Sequence, residues 1–344
     1  MFMKKTIPLS TFFIIFLLFA CSKKNEVELE VKIFDKKYSS ETLPLSLKLE
    51  LFRIQQEAYE KTHLAIRQFA VRGHLSNDFE DPPPLEKILR PTEDISIQAK
   101  NVLKGLDTSD LSEQERLRVL KEIEHNIYIS QYLQTFSEVI EKIEQDGNLS
   151  IGITPPLIPS GVDFKLNLYP TFGRKQNPHH IYMFTSYACE SCRNSSIQLS
   201  RLIKEFPDKI FVTLFLLPAA EGSIEEMAIR IGECAHRYNP DFFWTFHSQL
   251  IADNNFTQMA ESTSITAINN FKKAELKHLE TLGASREKLN SCLESSKLEN
   301  GPNRVRALAK KLSVNEFPRF IINRRLWSIS GQGIYADIKD LIEN

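Results

Sequence analysis

The sequence predicts an α/β domain with a helical insertion, preceded by a mainly α-helical N-terminal module. Three observations predict it. The second half holds two short apolar runs, residues 180–185 (HIYMFT) and 210–217 (IFVTLFLL), with a helix-compatible stretch between them. The first half shows helical periodicity over residues 46–72 and again from 112 to 146. A segment containing Pro155, Pro156, Pro159, Pro170 and Pro178 separates the halves.

Taken in order, residues 27–34 (VELEVKIF) alternate as a strand would. Over 46–72, Leu47, Leu51, Ile54, Ala58, Ala65 and Phe69 recur on one face, with no Pro or Gly to interrupt. Three prolines within 77–84 (NDFEDPPP) break that helix, because proline removes an N–H and clashes with the preceding turn. A further helix is expected at 93–105. Ser112 to Glu115 reads as a capping box, in which the Ser and Glu side chains each satisfy the other's free N–H. It opens a long amphipathic helix through Leu117, Leu120, Ile123, Ile127, Leu133, Phe136, Ile140 and Ile143, stopped at Asp146-Gly147-Asn148. Residues 149–178 read as a linker or an extended crossing segment.

The second half begins with the strand at 180–185. The helix from Cys189 to Phe206 uses Ile197, Leu199, Leu202 and Ile203 as its apolar positions, and the strand at 210–217 ends at Pro218. Strand, helix, strand is a βαβ unit with a right-handed crossover. Helices fill about 222–298, and another spans 302–312. After Pro318, strands at 319–322 and 326–330 form a hairpin through Asn323-Arg324-Arg325. A helix at 334–342 closes the chain. The expected division is residues 1–20, 21–148, 149–178 and 179–344.

The totals bound the function. A chain of 344 residues has room for about two domains. Hydrophobic residues at 42% and charged residues at 25% call for a packed core rather than disorder. Net charge is −1 with no long basic run, so nothing argues for nucleic acid.

Residues 1–20 read as a targeting segment. Lys4 and Lys5 precede an apolar run, TFFIIFLLFA, too short to span a bilayer, which needs about 20 apolar residues. It ends in Leu18-Phe19-Ala20-Cys21, which resembles a bacterial lipobox, with Phe19 bulkier than the usual residue. That resemblance implies lipidation of Cys21, with two or three acyl chains anchoring the protein to a membrane of the cell envelope. An ordinary signal peptide with a chance cysteine is the alternative. The rest of the chain has no apolar segment of membrane length.

Export places the cysteines where disulfides persist. The five divide as Cys21, the pair Cys189 and Cys192, and the further pair Cys234 and Cys292. Cys189-Glu190-Ser191-Cys192 follows a strand and begins a helix. The free N–H groups and partial positive charge of a helix N-terminus stabilise a thiolate, the nucleophile of disulfide exchange. Cys189 would be the attacking thiol. Cys192, one turn inside the helix, would resolve the mixed disulfide. Cys234 and Cys292 read as a disulfide tying two helices or as two buried thiols, and a third reading has Cys189, Cys192, Cys234 and His236 as a Cys3His zinc site. The last is disfavoured because no second C-x-x-C exists, so no metal or other cofactor is expected. Trp244 and His247 read as core residues. His179 and His180 read as surface residues or neighbours of the site.

Residues 184–192 (FTSYACESC) resemble the active-site segment of the DsbA-like thioredoxin-fold family. Three further segments match in order: 228–250 with Cys234, Phe243, Trp244 and His247; Ser291-Cys292-Leu293; and 314–323 (VNEFPRFIIN). The resemblance covers about residues 150–344. It implies a thioredoxin fold with a helical insertion, a cis Pro318, and a loop at Phe317 and Pro318 that offers backbone groups to substrate peptide. It also implies thiol–disulfide oxidoreductase activity on exported proteins with cysteines, in exchange with a redox partner. This chain departs from the family in having Glu190 and Ser191 between the cysteines, Ser186 where an acid is common, and Phe317 before the proline. A carboxylate at Glu190 beside Cys189 disfavours the thiolate. The expected redox pair is therefore less oxidising than the strongest members.

The N-terminal half, a short strand and long helices, resembles the start of SurA-type periplasmic chaperone domains, without a following prolyl isomerase domain. Its apolar stripes would suit a chaperone surface, a spacer or a homodimer contact. An envelope chaperone with a secondary redox role is the competing reading.

Overall fold

The computed structural model describes residues 31–33, 36–39, 41–88, 93–106, 111–149, 151–295, 301–327 and 334–343. The targeting segment, the lipobox and Cys21 lie outside the described residues, as do 328–330 of the expected last strand. The chain divides into a small unit ending at Lys48 and a large one, Leu49–Asn344. In the small unit β1 (Val31–Ile33) pairs antiparallel with β2 (Lys36–Tyr38).

The large unit is built on a five-stranded sheet. Its strands are β3 (Thr171–Phe172), β4 (His179–Thr185), β5 (Ile210–Leu216), β6 (Arg319–Ile322) and β7 (Arg325–Trp327). The order is β3-β5-β4-β6-β7, with β4 and β5 parallel and the other pairs antiparallel. β5 is buried along its whole length, so it reads as a continuous apolar run rather than an alternating one. Helix α5 (Glu190–Glu205) joins β4 to β5. Asn323 and Arg324 both have positive φ, as a two-residue type I′ turn requires, and the last hairpin is thereby one residue tighter than expected. This is the thioredoxin arrangement that the sequence resemblance implied.

Between β5 and β6 lie the helices α6 (Ile224–Tyr238), α7 (Pro240–Ala252), α8 (Asn254–Met259), α9 (Ile265–Thr281), α10 (Arg286–Leu293) and α11 (Gly301–Lys311). The apolar faces of α6 to α10 share one core with the sheet, including Ile181, Met183, Leu214, Phe243, Phe246 and Phe271. A disulfide between Cys234 and Cys292 ties α6 to α10 across a sequence separation of 58. Helix α12 (Ile334–Glu343) packs on α5.

Residues 149–178 do not run as a free linker. Ile158 N–H donates to Arg324 O at 2.8 Å, and Leu157 bridges to Arg325. Phe164 then packs against Tyr182 and Phe215 on the sheet, and β3 pairs with β5. The prolines mark a crossing segment that covers a sheet face. Gly173 sits at φ +82°, where a Cβ would meet Ile210 O at 2.3 Å, so the turn after β3 needs glycine.

The helical segment comprises α1 (Leu45–Ser76), α2 (Leu85–Ile88), α3 (Glu93–Lys104) and α4 (Glu113–Gln145), the last opened by the expected capping box at Ser112. From Leu49 onward it belongs to the same compact unit as the sheet, whereas the sequence had divided it off at 148. Two details correct the periodicity reading. On α1, Ile54 and Phe69 are exposed at 60% and 41%, while Phe52, Gln56, Tyr59, Ala70 and Val71 are buried. On α4, Ile140 and Ile143 pack with Ala70, Val71 and Leu85, but Leu117 and Leu133 are more than half exposed. On α1 the cause is a polar docking that an apolar count misses. Gln56 Nε2 donates to Leu326 O at 2.9 Å, covering the open edge of β7. Glu60 pairs with the Arg319 guanidinium, which is almost buried at the start of β6. Among the described residues, no helix is long and apolar enough to cross a membrane.

Removing Glu60 leaves the buried Arg319 with less compensation. Glu60→Ala should lower stability by about 1–2 kcal/mol, measured by urea unfolding. Glu57→Ala on the exposed face of α1 should leave the midpoint unchanged.

Candidate active site

The β4 strand ends at Thr185, and four residues later Cys189 opens α5. Cys189 is the N-cap of that helix, with extended backbone (φ −93°, ψ 117°). Its Sγ takes the place of a capping oxygen, accepting the N–H of Cys192 at 3.1 Å. Cys189 and Cys192 are joined as a disulfide with Cα atoms 5.2 Å apart. Cys192 is sealed at 0% exposure, whereas Cys189 is only half-buried. The two sulfurs are therefore unequal, and only Cys189 can be reached from solvent.

Pro318 follows a cis peptide bond from Phe317. Phe317 O lies 3.8 Å from Cys189 Sγ, so the 317–318 loop faces the sulfur across a narrow gap. Both loop residues are half-buried. Glu190 and Ser191 are exposed, and Ser191 Oγ is 3.2 Å from Cys189 Sγ. The structure thus brings together Cys189, Cys192, Ser191, Phe317 and Pro318. It places Cys234 and Cys292 in their own disulfide, which removes the arrangement a Cys3His site would need. Among the described residues no group of His, Cys, Asp or Glu is placed to hold a metal ion.

His179 and His180 lie at the start of β4, the end of the strand away from the cysteines. His180 is occupied by Tyr182 and Lys175 O. Trp244 Nε1 donates to Thr171 O at 3.0 Å, tying α7 to β3. His247 is buried and bonds to Tyr187 Oη through Nδ1 at 3.0 Å, directly behind the loop that precedes Cys189. Burial holds the His247 pKa down at about 3, so the ring is neutral, and it pushes the Tyr187 phenol up.

Two residues of this neighbourhood escaped the sequence reading. Arg193, next to Cys192, donates to Ile251 O, Asn254 Oδ1 and Thr257 Oγ1, fastening the first turn of α5 to the corner between α7 and α8. Glu225 is completely buried on α6 and receives hydrogen bonds from the loop before Cys189. Burial raises its pKa, and the bonds from Ala219, Ser186, Ala188 and Tyr187 oppose that rise. One signal was available. Glu225 falls in line with Ala228, Ile229 and Gly232 on the apolar face of α6, where an unpaired carboxylate is costly.

A family model described as thioredoxin matches residues 168–344. No curated protein sequence matches the chain. Among solved structures, the chain is similar to oxidised BdbD from Bacillus subtilis at 20% identity. That match covers 52% of this chain and 93% of the other, with a TM-score of 0.41. It is similar at 19% identity to the thiol-disulfide exchange protein alpha-DsbA2 from Wolbachia pipientis. There the coverage is 52% and 88%, and the TM-score 0.42. It is also similar to ScsC from Proteus mirabilis, at 14% identity, 67% and 97% coverage and a TM-score of 0.42.

His247 yields a pH prediction. Its folded pKa is depressed, so its contribution is complete above about 6.5 and drains away as pH falls toward about 3. His247→Gln, which still offers Tyr187 a partner, should flatten the stability profile between pH 4 and 6.5. The difference should reach up to about 1.4 kcal/mol per pH unit, read from urea unfolding at each pH.

Proposed function

Because the chain belongs to the thioredoxin family, we propose that it exchanges thiols and disulfides with exported proteins through Cys189. Its fold is that of the DsbA-like thiol–disulfide oxidoreductases. The carrying observation is the inequality of the two sulfurs. Cys189 is half-exposed at the head of α5 and faces the Phe317–Pro318 loop, while Cys192 is sealed behind it.

In the oxidising direction, a substrate thiolate attacks Cys189 Sγ. The Cys189–Cys192 bond breaks and Cys192 leaves as a thiolate. A second substrate thiolate attacks the substrate sulfur of the mixed disulfide and expels Cys189. Substrate loses two electrons and two protons, and the enzyme holds the dithiol. In the reverse direction Cys189 attacks a substrate disulfide and Cys192 resolves it. The redox potentials of substrate and partner set the direction.

The helix N-terminus and the N–H of Cys192 stabilise the Cys189 thiolate when it leaves. Phe317 and Pro318 hold the substrate backbone beside the sulfur. Glu190 and Ser191 tune the pair, the carboxylate against the thiolate and the hydroxyl, 3.2 Å from Sγ, in its favour. The sulfurs carry the electrons, so no cofactor takes part in the exchange. A second redox protein restores the starting state. Leu18-Phe19-Ala20-Cys21 supports a lipid anchor at Cys21, which would hold the activity at a membrane of the cell envelope.

Reduced Cys192→Ser protein should accumulate a mixed disulfide at Cys189 when incubated with an unfolded substrate carrying a chromogenic disulfide, whose other half is released as the thiolate. Intact mass and peptide mapping read the adduct. An adduct at any other cysteine, or turnover that survives Cys189→Ser, overturns the mechanism. Cys21→Ser should shift the protein from the membrane fraction to the soluble fraction and remove the acyl mass. Unchanged partitioning and mass would defeat the anchor.

A further inference from the structure

Besides the bond from His247 to Tyr187 Oη, the insertion reaches the redox loop through the carboxylate of Glu225. Glu225 stands in the first turn of α6 at 0% exposure. Its Oε1 accepts from three successive residues: Ser186 Oγ at 2.7 Å, the Tyr187 N–H, and the Ala188 N–H at 3.1 Å. Its Oε2 accepts the N–H of Ala219 at 2.7 Å, just beyond β5. The next residue after Ala188 is Cys189. The backbone of Glu225 is itself fixed, its N–H bonded to Ala260 O at 2.9 Å.

No cation is bonded to this carboxylate among the described residues; its partners are neutral donors of two segments that converge on the site. A buried carboxylate is tolerated only when such donors are supplied. The dependence is mutual. Residues 186–188 leave the sheet after β4, and the two loop N–H groups that Glu225 accepts would otherwise be left without that carboxylate partner. Within the loop, Ala188 N–H also donates to Ser186 Oγ at 3.2 Å. The backbone path from Thr185 into the helix N-cap is therefore shaped by a residue from a different element, 36 positions later in the chain.

We propose that Glu225 is a positioning residue for the exchange reaction, clamping residues 186–188 so that Cys189 Sγ is held at the N-cap of α5 and against the 317–318 loop. The proposal deepens the oxidoreductase reading and rests on it. Glu225 does not touch the sulfur. It acts through the loop, fixing where the sulfur lies relative to the N–H of Cys192. If the clamp is released, Cys189 moves relative to that donor and the thiolate loses stabilisation. Attack geometry loosens as well, and small misplacements of reacting atoms are expensive in rate.

The geometry also specifies a rescue. Ser186 Oγ already lies within reach of Ala188 N–H, so a carboxylate at 186 could accept from the loop in place of Glu225. The test uses the full chain and three variants: Glu225→Gln, which keeps the volume and one acceptor; Glu225→Ala; and Glu225→Ala with Ser186→Asp. Two quantities are read well below the melting temperature. One is the rate of reaction of the reduced protein with a small aromatic disulfide. The other is the midpoint of Cys189 thiolate absorbance in the Cys192→Ser background.

Glu225→Ala should react about tenfold more slowly and titrate at higher pH, with Glu225→Gln between it and the parent. The Ser186→Asp double variant should recover the rate to within about threefold of the parent. Folded Glu225 variants with parental rate and midpoint overturn the proposal. So does a slower rate with an unmoved midpoint and no rescue, which is the behaviour of a brace that serves stability alone. If Glu225→Ala does not fold, the Gln variant decides by the same two readings. Failure of the parent protein to react at Cys189 at all would defeat the oxidoreductase reading itself, a result distinct from either of these.

Discussion

The structure depends on one hydrogen bond at the head of α5, where Cys189 Sγ takes the N–H of Cys192. A helix N-terminus leaves N–H groups without partners, and an oxygen side chain ordinarily satisfies one of them. Here a sulfur does so. The same donor that caps the helix is the one that favours a thiolate, so local helix energetics and redox chemistry are one interaction. Everything around the site serves to keep that sulfur in place while leaving it open on one side.

Three elements far apart in sequence share the task. The parallel β4–β5 pair fixes the end of β4 and therefore the start of the loop. Glu225 holds the loop from the insertion side. The cis peptide before Pro318 brings Phe317 O to 3.8 Å from the sulfur on the other side. Arg193 ties the first turn of α5 to α7 and α8, so the insertion grips the helix and the loop separately. Cys192 is sealed within this frame, and that burial together with the N-cap position of Cys189 makes the two chemically identical residues inequivalent.

The N-terminal helices are joined to this frame through polar groups. Gln56 caps the open edge of β7, and Glu60 meets Arg319, the residue that follows the cis proline. An unpaired strand edge is a liability, and α1 covers it at one carbonyl. His63, held at a pKa of about 4 by burial and by Arg67 and Arg319, stays neutral in the same packing. Ile54, Leu117 and Leu133, among the large apolar side chains left exposed, lie on these helices.

By itself the sequence determined the local events. Strand, C-x-x-C, helix and strand followed from hydrophobic runs and helix-start chemistry, because those signals act within a few residues. The capping box at Ser112 and the hairpin after Pro318 were legible for the same reason. Tertiary structure decided the rest. Which face of α1 is buried could not be read from apolar spacing, because Gln56 and Glu60 dock through a carbonyl and a guanidinium that lie about 260–270 positions away. The proline-rich segment at 149–178 became part of the sheet domain because Phe164 found Tyr182 and Phe215, Ile158 found Arg324, and β3 paired with β5. Glu225 drew no reading from its local sequence beyond its place on the apolar face of α6. Only the fold, by burying it and turning the loop amides of 187 and 188 toward it, made it part of the site.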